Sequence, residues 1–221
     1  MRVLLVEDEP DLADLYLRVL KSAGYAVDHT IFGKEAIFWA KTNDYDIAQI
    51  DGRLPDVDGF TVCAEVRKAK PELPIIMTTV RNLTEDKKVA FAAGADDYLV
   101  KPFYMEELTM RYHALLRRPK TPMLDVIEYN GLMLDTRKRI VTLHGKLVDF
   151  RMKEVTLMEY MMRNLGIPLT RTMMLEHVWD MNIDPFTNTV DVHIRSMRKK
   201  LNDLEGNIIK TVHGMGYKVG D

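Results

Sequence analysis

Residues 47–60 read IAQIDGRLPDVDGF, and the reading of this stretch decides the fold. Ile47–Ile50 is a strand-like run that ends on Asp51, Pro55 and Gly59 break the chain, and Phe60–Lys70 resumes with helical spacing. The same strand–break–helix unit recurs on both sides. Further strands are expected at Arg2–Val6, Ala26–His29, Ile75–Thr79 and Asp97–Val100, and helices at Asp11–Ala23, Lys34–Asn43, Thr84–Ala93 and Met105–Arg117. Strands alternating with helices in this way imply an α/β domain, a parallel sheet covered on both faces. The runs VLLV and PIIM lack alternation, as strands buried on both faces do.

The pattern breaks after this unit. Residues 117–122, RRPKTP, carry two prolines and no apolar periodicity and read as a linker. The expected organisation is therefore a first domain over 1–118, a linker over 119–124 and a second domain over 125–221. In the second domain short strand-like pieces (Val126–Tyr129, Leu132–Leu134, Ile140–Leu143, Lys146–Val148) are separated by Asn130–Gly131, Asp135–Thr136 and His144–Gly145 turn signals. Helical segments follow at Met152–Asn164, Thr172–Asp180 and about Thr187–Leu204, and then a hairpin of Ile208–Thr211 with Tyr217–Val219. A small sheet, three helices and a closing hairpin suit an α+β winged helix-turn-helix.

Composition narrows the class. At 47% apolar and 29% charged residues the chain is globular, with no apolar stretch of membrane-spanning length and no secretory leader in MRVLLVEDEP. Its single cysteine, Cys63, excludes an internal disulfide and fits a reducing, cytoplasmic setting. Net charge is −2 overall; residues 1–118 hold 16 Lys+Arg against 20 Asp+Glu, and the remainder 15 against 13. The second domain is thus weakly basic, and where its cations fall matters more than the sum.

Polar residues converge on the strand ends of the first domain. Glu7 and Asp8 follow the first strand, Asp51 the third, Thr79 closes the fourth and Lys101 follows the fifth. Open parallel sheets bind ligands at the carboxyl ends of their strands, so these groups are expected to share one site. Three carboxylates call for a cation, and an oxygen-only donor set favours Mg²⁺ or Mn²⁺. With Lys101, such a site accepts a phosphoryl group: Asp51 is the expected nucleophile, Glu7 and Asp8 hold the metal, and Thr79 donates to a phosphoryl oxygen.

The segments VLLVEDEPDL, DGRLPDVDGF, PIIMTT and GADDYLVKPF resemble the receiver domains of two-component response regulators, across the whole of residues 1–118. The resemblance implies a flavodoxin-like, doubly wound five-stranded sheet in the order 2-1-3-4-5, phosphate supplied by a sensor histidine kinase, and a switch in which Thr79 and Tyr98 reorient. It adds the backbone carbonyl of Arg53 to the metal ligands. It also implies a homodimer on activation, formed through the fourth helix, fifth strand and fifth helix, where Lys87, Asp97, Glu107 and Arg111 match the charges used for pairing. Ala92 and His113 replace one charged pair, which weakens the expected dimer. Val80, Gly52 and Arg53 depart from the family pattern beside the acceptor and imply an unusual phosphoryl lifetime.

In NTVDVHIRSMRKKL, residues Val190, Ile194, Met197 and Leu201 form one apolar stripe. Asn188, Val192, Arg195 and Lys199 fall opposite, with Arg198 on one edge and Thr189, His193, Ser196 and Lys200 on the other. A basic exposed face of this kind suits the major groove of double-stranded DNA. His213 and Lys218 of the closing hairpin would reach the minor groove or backbone. TVDVHIRxxRKKL and TVxGxGY make residues 125–219 similar to the effector domain of the OmpR/PhoB subfamily, which implies binding to direct or inverted half-sites and RNA polymerase contact through the loop Met181–Phe186. An aspartyl-phosphate enzyme on a related sheet would need an acid two positions after its nucleophile, and Arg53 stands there. The reading is therefore a phosphorylation-gated DNA-binding regulator rather than an enzyme; the alternative is a regulator that dimerises without phosphorylation.

Overall fold

The structure, a computed structural model, describes residues 1–116, 126–180 and 188–221. The expected linker and the loop Met181–Phe186 lie outside the described residues.

Two compact units are present. The first comprises β1 (Arg2–Val6), α1 (Pro10–Ser22), β2 (Ala26–Thr30), α2 (Gly33–Thr42), β3 (Ile47–Asp51), α3 (Gly59–Ala69), β4 (Ile75–Thr79), α4 (Thr84–Ala92), β5 (Asp97–Val100) and α5 (Met105–Leu116). Its strands run in the order β2-β1-β3-β4-β5. The register pairs Val6 with Ile50, Asp51 with Thr78 and Thr79 with Val100, which brings the carboxyl ends of β1, β3, β4 and β5 together. Every residue of β1, β3 and β4 is buried. On one face Leu4, Val6, Ile50, Ile75 and Met77 meet Ala36, Val62, Cys63, Val66 and Ala90 of the covering helices. Each large apolar side chain so buried contributes roughly 1.5–3 kcal/mol. The other face is mixed: Gln49, fully buried in mid-strand, accepts a 2.7 Å hydrogen bond from Tyr112 of α5, while Tyr16 of α1 stacks on Phe103.

The β3–α3 loop fixes two helix starts. Asp58 accepts from the Phe60 amide at 2.9 Å and caps α3, while the two oxygens of Asp56 accept from the Gly33 and Lys34 amides at 2.8 and 3.0 Å and cap α2. Gly59 cannot be another residue: a Cβ there would sit 1.9 Å from the carbonyl oxygen of Asp51. The loop is thereby pressed onto the end of β3.

The second unit holds β6 (Val126–Tyr129), β7 (Leu132–Asp135), β8 (Ile140–Leu143) and β9 (Lys146–Val148) as an antiparallel meander. Next come α6 (Met152–Arg163), β10 (Leu169–Thr170), α7 (Arg171–Val178), α8 (Thr189–Leu201), β11 (Ile209–Val212) and β12 (Gly216–Val219). Its core gathers Leu132, Leu134, Leu157, Met158, Met161, Met174, Val178 and the α8 stripe of Val190, Ile194, Met197 and Leu201. The closing hairpin is part of a three-stranded sheet, because Leu169 and Thr170 pair with Tyr217 and Gly216. Two residues are too short for periodicity to reveal. The last helix is also shorter than expected: Asn202 adopts a left-handed conformation at φ 55° and closes it at Leu201. The Asp203 carboxylate then collects the amides of Asn207, Ile208 and Ile209 at 2.6, 3.1 and 2.8 Å.

Candidate functional site

The sheet places Glu7, Asp8, Asp51, Thr79 and Lys101 around one end of the first unit, as the sequence expects. Glu7 and Asp51 are buried and Asp8 is exposed, and one oxygen from each of the three carboxylates lies within 4.8 Å of the others. Lys101 straddles the group: its ammonium donates to both oxygens of Glu7 at 2.9 and 2.8 Å and lies 3.4 Å from Asp51 Oδ1. Burial pushes the Glu7 carboxyl up to about 7, against the pull of the Lys101 ion pair. Asp51 is raised for the same reason, and Lys101 again opposes the rise. Such a cluster is short of positive charge. Three oxygen donors this close, two of them reluctant to ionise, are suited to a hard divalent cation.

A testable pH dependence follows for the metal-free protein. Glu7 in the folded state keeps its proton up to about pH 7, whereas an unfolded glutamate releases it near 4.5. Between those values the folded state binds more protons, so stability falls as pH rises through the window, by about 3 kcal/mol for this group. The urea midpoint of the first unit is expected to drop between pH 5 and pH 8, and Glu7→Gln to flatten that drop. Equal slopes in the two proteins would refute the assignment.

Thr79 is fully buried, and its Oγ1 accepts from the Arg81 amide at 3.2 Å. The carbonyl of Arg81 in turn accepts from the Tyr98 hydroxyl at 2.8 Å, so Thr79 and Tyr98 hold the two peptide groups that flank the Arg81 Cα. The Arg81 guanidinium is 3.1 Å from Asp58 and lies over the Phe60 ring. Sequence reading missed Arg81, because nothing in RNLT distinguishes a loop arginine that clasps a helix cap from one in solvent. Val80 and Arg53 are exposed beside the site. The Cys63 thiol is buried and pushed up to about 12, which leaves it an inert core group.

On the expected pairing face, Lys87 is exposed, but the other charges meet within the chain. Arg111 donates to both oxygens of Asp97 at 2.9 Å and to Glu107 at 2.7 Å. Leu83, Val89 and Phe91 leave more than half their surface exposed on and beside α4.

In the second unit the outward face of α8 is narrower than the helical spacing suggests. Asn188, Val192, Arg195 and Lys199 are exposed, and His213 projects from the hairpin tip with Lys218 half-buried behind it. The flanking residues have internal partners. Ser196 donates to Glu154 at 2.6 Å, Arg198 bonds the Ile209 carbonyl and Thr211, and His193 leans on Trp179, where burial pulls its imidazole below the usual range. Thr189 is half-buried at the helix start. Asp191, the one acid of the helix, is paired with Arg171 at 2.8 Å and accepts from the Tyr217 hydroxyl. What remains facing outward is cationic.

Residues 3–113 match the response regulator receiver domain family, and residues 145–219 match the transcriptional regulatory protein, C terminal, family. The chain is 38% identical over 219 residues to the transcriptional regulatory protein CusR of Escherichia coli (strain K12), covering 98% of this chain and 96% of that one. It is 37% identical to the transcriptional regulatory protein TcrA of Mycobacterium tuberculosis, over 99% of this chain and 87% of that one. Among solved structures, a two-component response regulator from Clostridium difficile matches with a TM-score of 0.51 at 30% identity, over 53% of this chain and 97% of that one.

Proposed function

The chain belongs to the two-component response regulators that join a receiver domain to a winged-helix transcriptional regulatory domain, and on that premise we propose that phosphorylation of Asp51 by a sensor histidine kinase drives dimerisation and sequence-specific DNA binding. The observation that carries this reading is the convergence of Glu7, Asp8 and Asp51 under the Lys101 ammonium. The Asp51 carboxylate attacks the phosphorus atom; its new O–P bond forms as the bond to the donor's imidazole nitrogen breaks. Lys101 opposes the rise that burial imposes on the Asp51 carboxyl and would move toward the incoming oxygens. Glu7, Asp8, Asp51 and the Arg53 backbone carbonyl would hold Mg²⁺ or Mn²⁺, whose charge offsets that of the phosphoryl oxygens when it is bound.

The receiver then shifts between two populations. Thr79, drawn toward the phosphoryl group, pulls on the Arg81 amide, and Tyr98 holds the carbonyl of the same residue. The α4–β5–α5 face, with Lys87, Asp97, Glu107 and Arg111 and the exposed Leu83, Val89 and Phe91, becomes competent to pair. Two effector domains reach adjacent direct or inverted half-sites of double-stranded DNA, and bivalence raises affinity through effective concentration. Asn188, Thr189, Val192, Arg195 and Lys199 would face the major groove, with His193, Ser196 and Arg198 at its margins and His213 and Lys218 on the neighbouring backbone or minor groove. RNA polymerase is a further partner, through the loop Met181–Phe186.

The test uses the full chain, acetyl phosphate and Mg²⁺. The expected result is a mass gain of one phosphoryl group, a shift from monomer to dimer and tighter binding to DNA selected from a random pool. No mass gain, under conditions that modify a control receiver, would replace this reading with a regulator that dimerises without phosphorylation.

A further inference from the structure

Gly52 follows the acceptor aspartate and is buried. Its backbone lies outside the left-handed region that favours glycine, so the residue is not there for a turn. Space is the reason. A Cβ at position 52 would lie 2.6 Å from Thr79 Oγ1 and 2.8 Å from Thr79 Cβ, both inside the closest approach that real side chains make. Neither side can yield easily. The Gly52 amide is tied to the Thr78 carbonyl at 3.0 Å and its carbonyl to the Gly59 amide at 3.3 Å. Thr79 is fully buried, its hydroxyl held by the Arg81 amide, and rotation about χ1 moves Oγ1 but leaves Cβ in place.

We propose that Gly52 is a positioning residue for phosphoryl transfer: by having no side chain it lets the Thr79 hydroxyl lie against the backbone that follows Asp51. The inference rests on the proposed phosphorylation of Asp51 and adds to it the reason that Thr79 is in reach. A methyl group at 52 would push the end of β4 away from β3, and with it the hydroxyl and the Arg81 peptide. Glu7 and Asp8 follow β1 and Asp51 ends β3, so the three carboxylates would stay where they are. The two halves of the site are therefore separable: the cation-binding carboxylates should be indifferent to Gly52→Ala, and phosphoryl transfer should not.

The experiment compares four full-length proteins: wild type, Gly52→Ala, Thr79→Gly and the double variant. Each is assayed for phosphorylation rate with acetyl phosphate and for Mg²⁺ affinity by calorimetry with the metal alone. Gly52→Ala is expected to slow phosphorylation on the order of ten-fold or more, since an ångström of misplacement is costly in such sites, while Mg²⁺ affinity stays within about two-fold. In the Thr79→Gly background, where there is nothing for the methyl to strike, Gly52→Ala should leave the already reduced rate unchanged. Equal slowing in both backgrounds overturns the proposal, as do an unaffected Gly52→Ala and a loss of Mg²⁺ affinity that tracks the loss of rate. If Gly52→Ala alone does not fold, the double variant is still expected to fold and to match Thr79→Gly; its failure to fold would overturn the proposal as well. A wild-type chain that takes no phosphoryl group removes the parent reading, and this one with it, whatever the variants do.

Discussion

Replacing Asp51 by alanine is expected to abolish phosphoryl uptake and phosphorylation-induced dimerisation while leaving the fold as stable as wild type or slightly more so. The two halves of that result have one origin. Neither neighbouring carboxylate is placed to substitute: both oxygens of Glu7 are held by Lys101, and Asp8 is exposed at the rim. Loss of the acceptor therefore removes the reaction rather than slowing it. Asp51 is also an unwilling anion, raised by burial beside other acids. Removing a carboxylate whose ionisation is disfavoured in the folded state relieves repulsion, and Lys101 keeps Glu7 as its partner. Intact-mass measurement after incubation with acetyl phosphate and Mg²⁺, together with thermal unfolding, reads both halves. A phosphoryl group still gained at the wild-type rate would move the acceptor to another residue; a collapse in stability would make Asp51 a fold determinant instead.

The second large effect is expected at Glu154, which is 1% exposed. Its carboxylate accepts from the Arg151 amide at 2.7 Å, from Ser196 at 2.6 Å and from Lys200 at 2.7 Å, so one side chain caps α6 and fastens α8 to it. Burial pushes the carboxyl up, but these donors more than offset it and hold it below the usual carboxylate range. Glu154→Ala strands all three donors, Lys200 among them with a side chain only 26% exposed. The expected cost is about 3 kcal/mol. For a unit of this size that corresponds to roughly 10–20 °C in its unfolding temperature. Calorimetry on the full chain should find the winged-helix transition lowered and the receiver transition unmoved, with Glu154→Gln in between. A winged-helix transition within a few degrees of wild type would mean that the buried carboxylate is not what fastens α8.

Much of this was legible in the residues themselves. Strand runs ending on Asp51, Thr79 and the residues before Glu7 and Lys101 located the acidic site, because a parallel sheet puts its carboxyl ends together whatever the helices do. The apolar stripe of α8 likewise fixed which side of that helix faces outward. What the residues left unread lies where a long-range partner decides. Nothing local marks Leu169–Thr170 as a strand, since only Tyr217 and Gly216 make it one. Ser196 and Arg198 have the polarity of groove-facing residues, and each also has an internal partner, Glu154 and the Ile209 carbonyl, that helical spacing does not reveal. Gly52 stood out as a departure, yet its meaning depends on Thr79, twenty-seven residues away in sequence and one strand away in space. Gln49 was a signal left unused: an amide within a buried strand calls for partners, and the Tyr112 hydroxyl donates to its Oε1.

The contacts that Arg198 and Asp191 make within the unit have a mechanical result. Arg198 ties α8 to β11, Asp203 ties the turn after α8 to the amides leading into and starting the same strand, and Asp191 ties the start of α8 to Tyr217 of β12. Helix and hairpin are thus joined at both ends and behave as a caliper of fixed opening. On a duplex, adjustment would then fall to the nucleic acid, which must bring a major-groove face and a neighbouring stretch of backbone to a separation set by the protein. Base steps that bend or narrow cheaply are favoured under such a demand even where no side chain reaches them. In the proposed docking, the internal bonds that hold helix and hairpin together would extend the length of sequence whose stiffness is read.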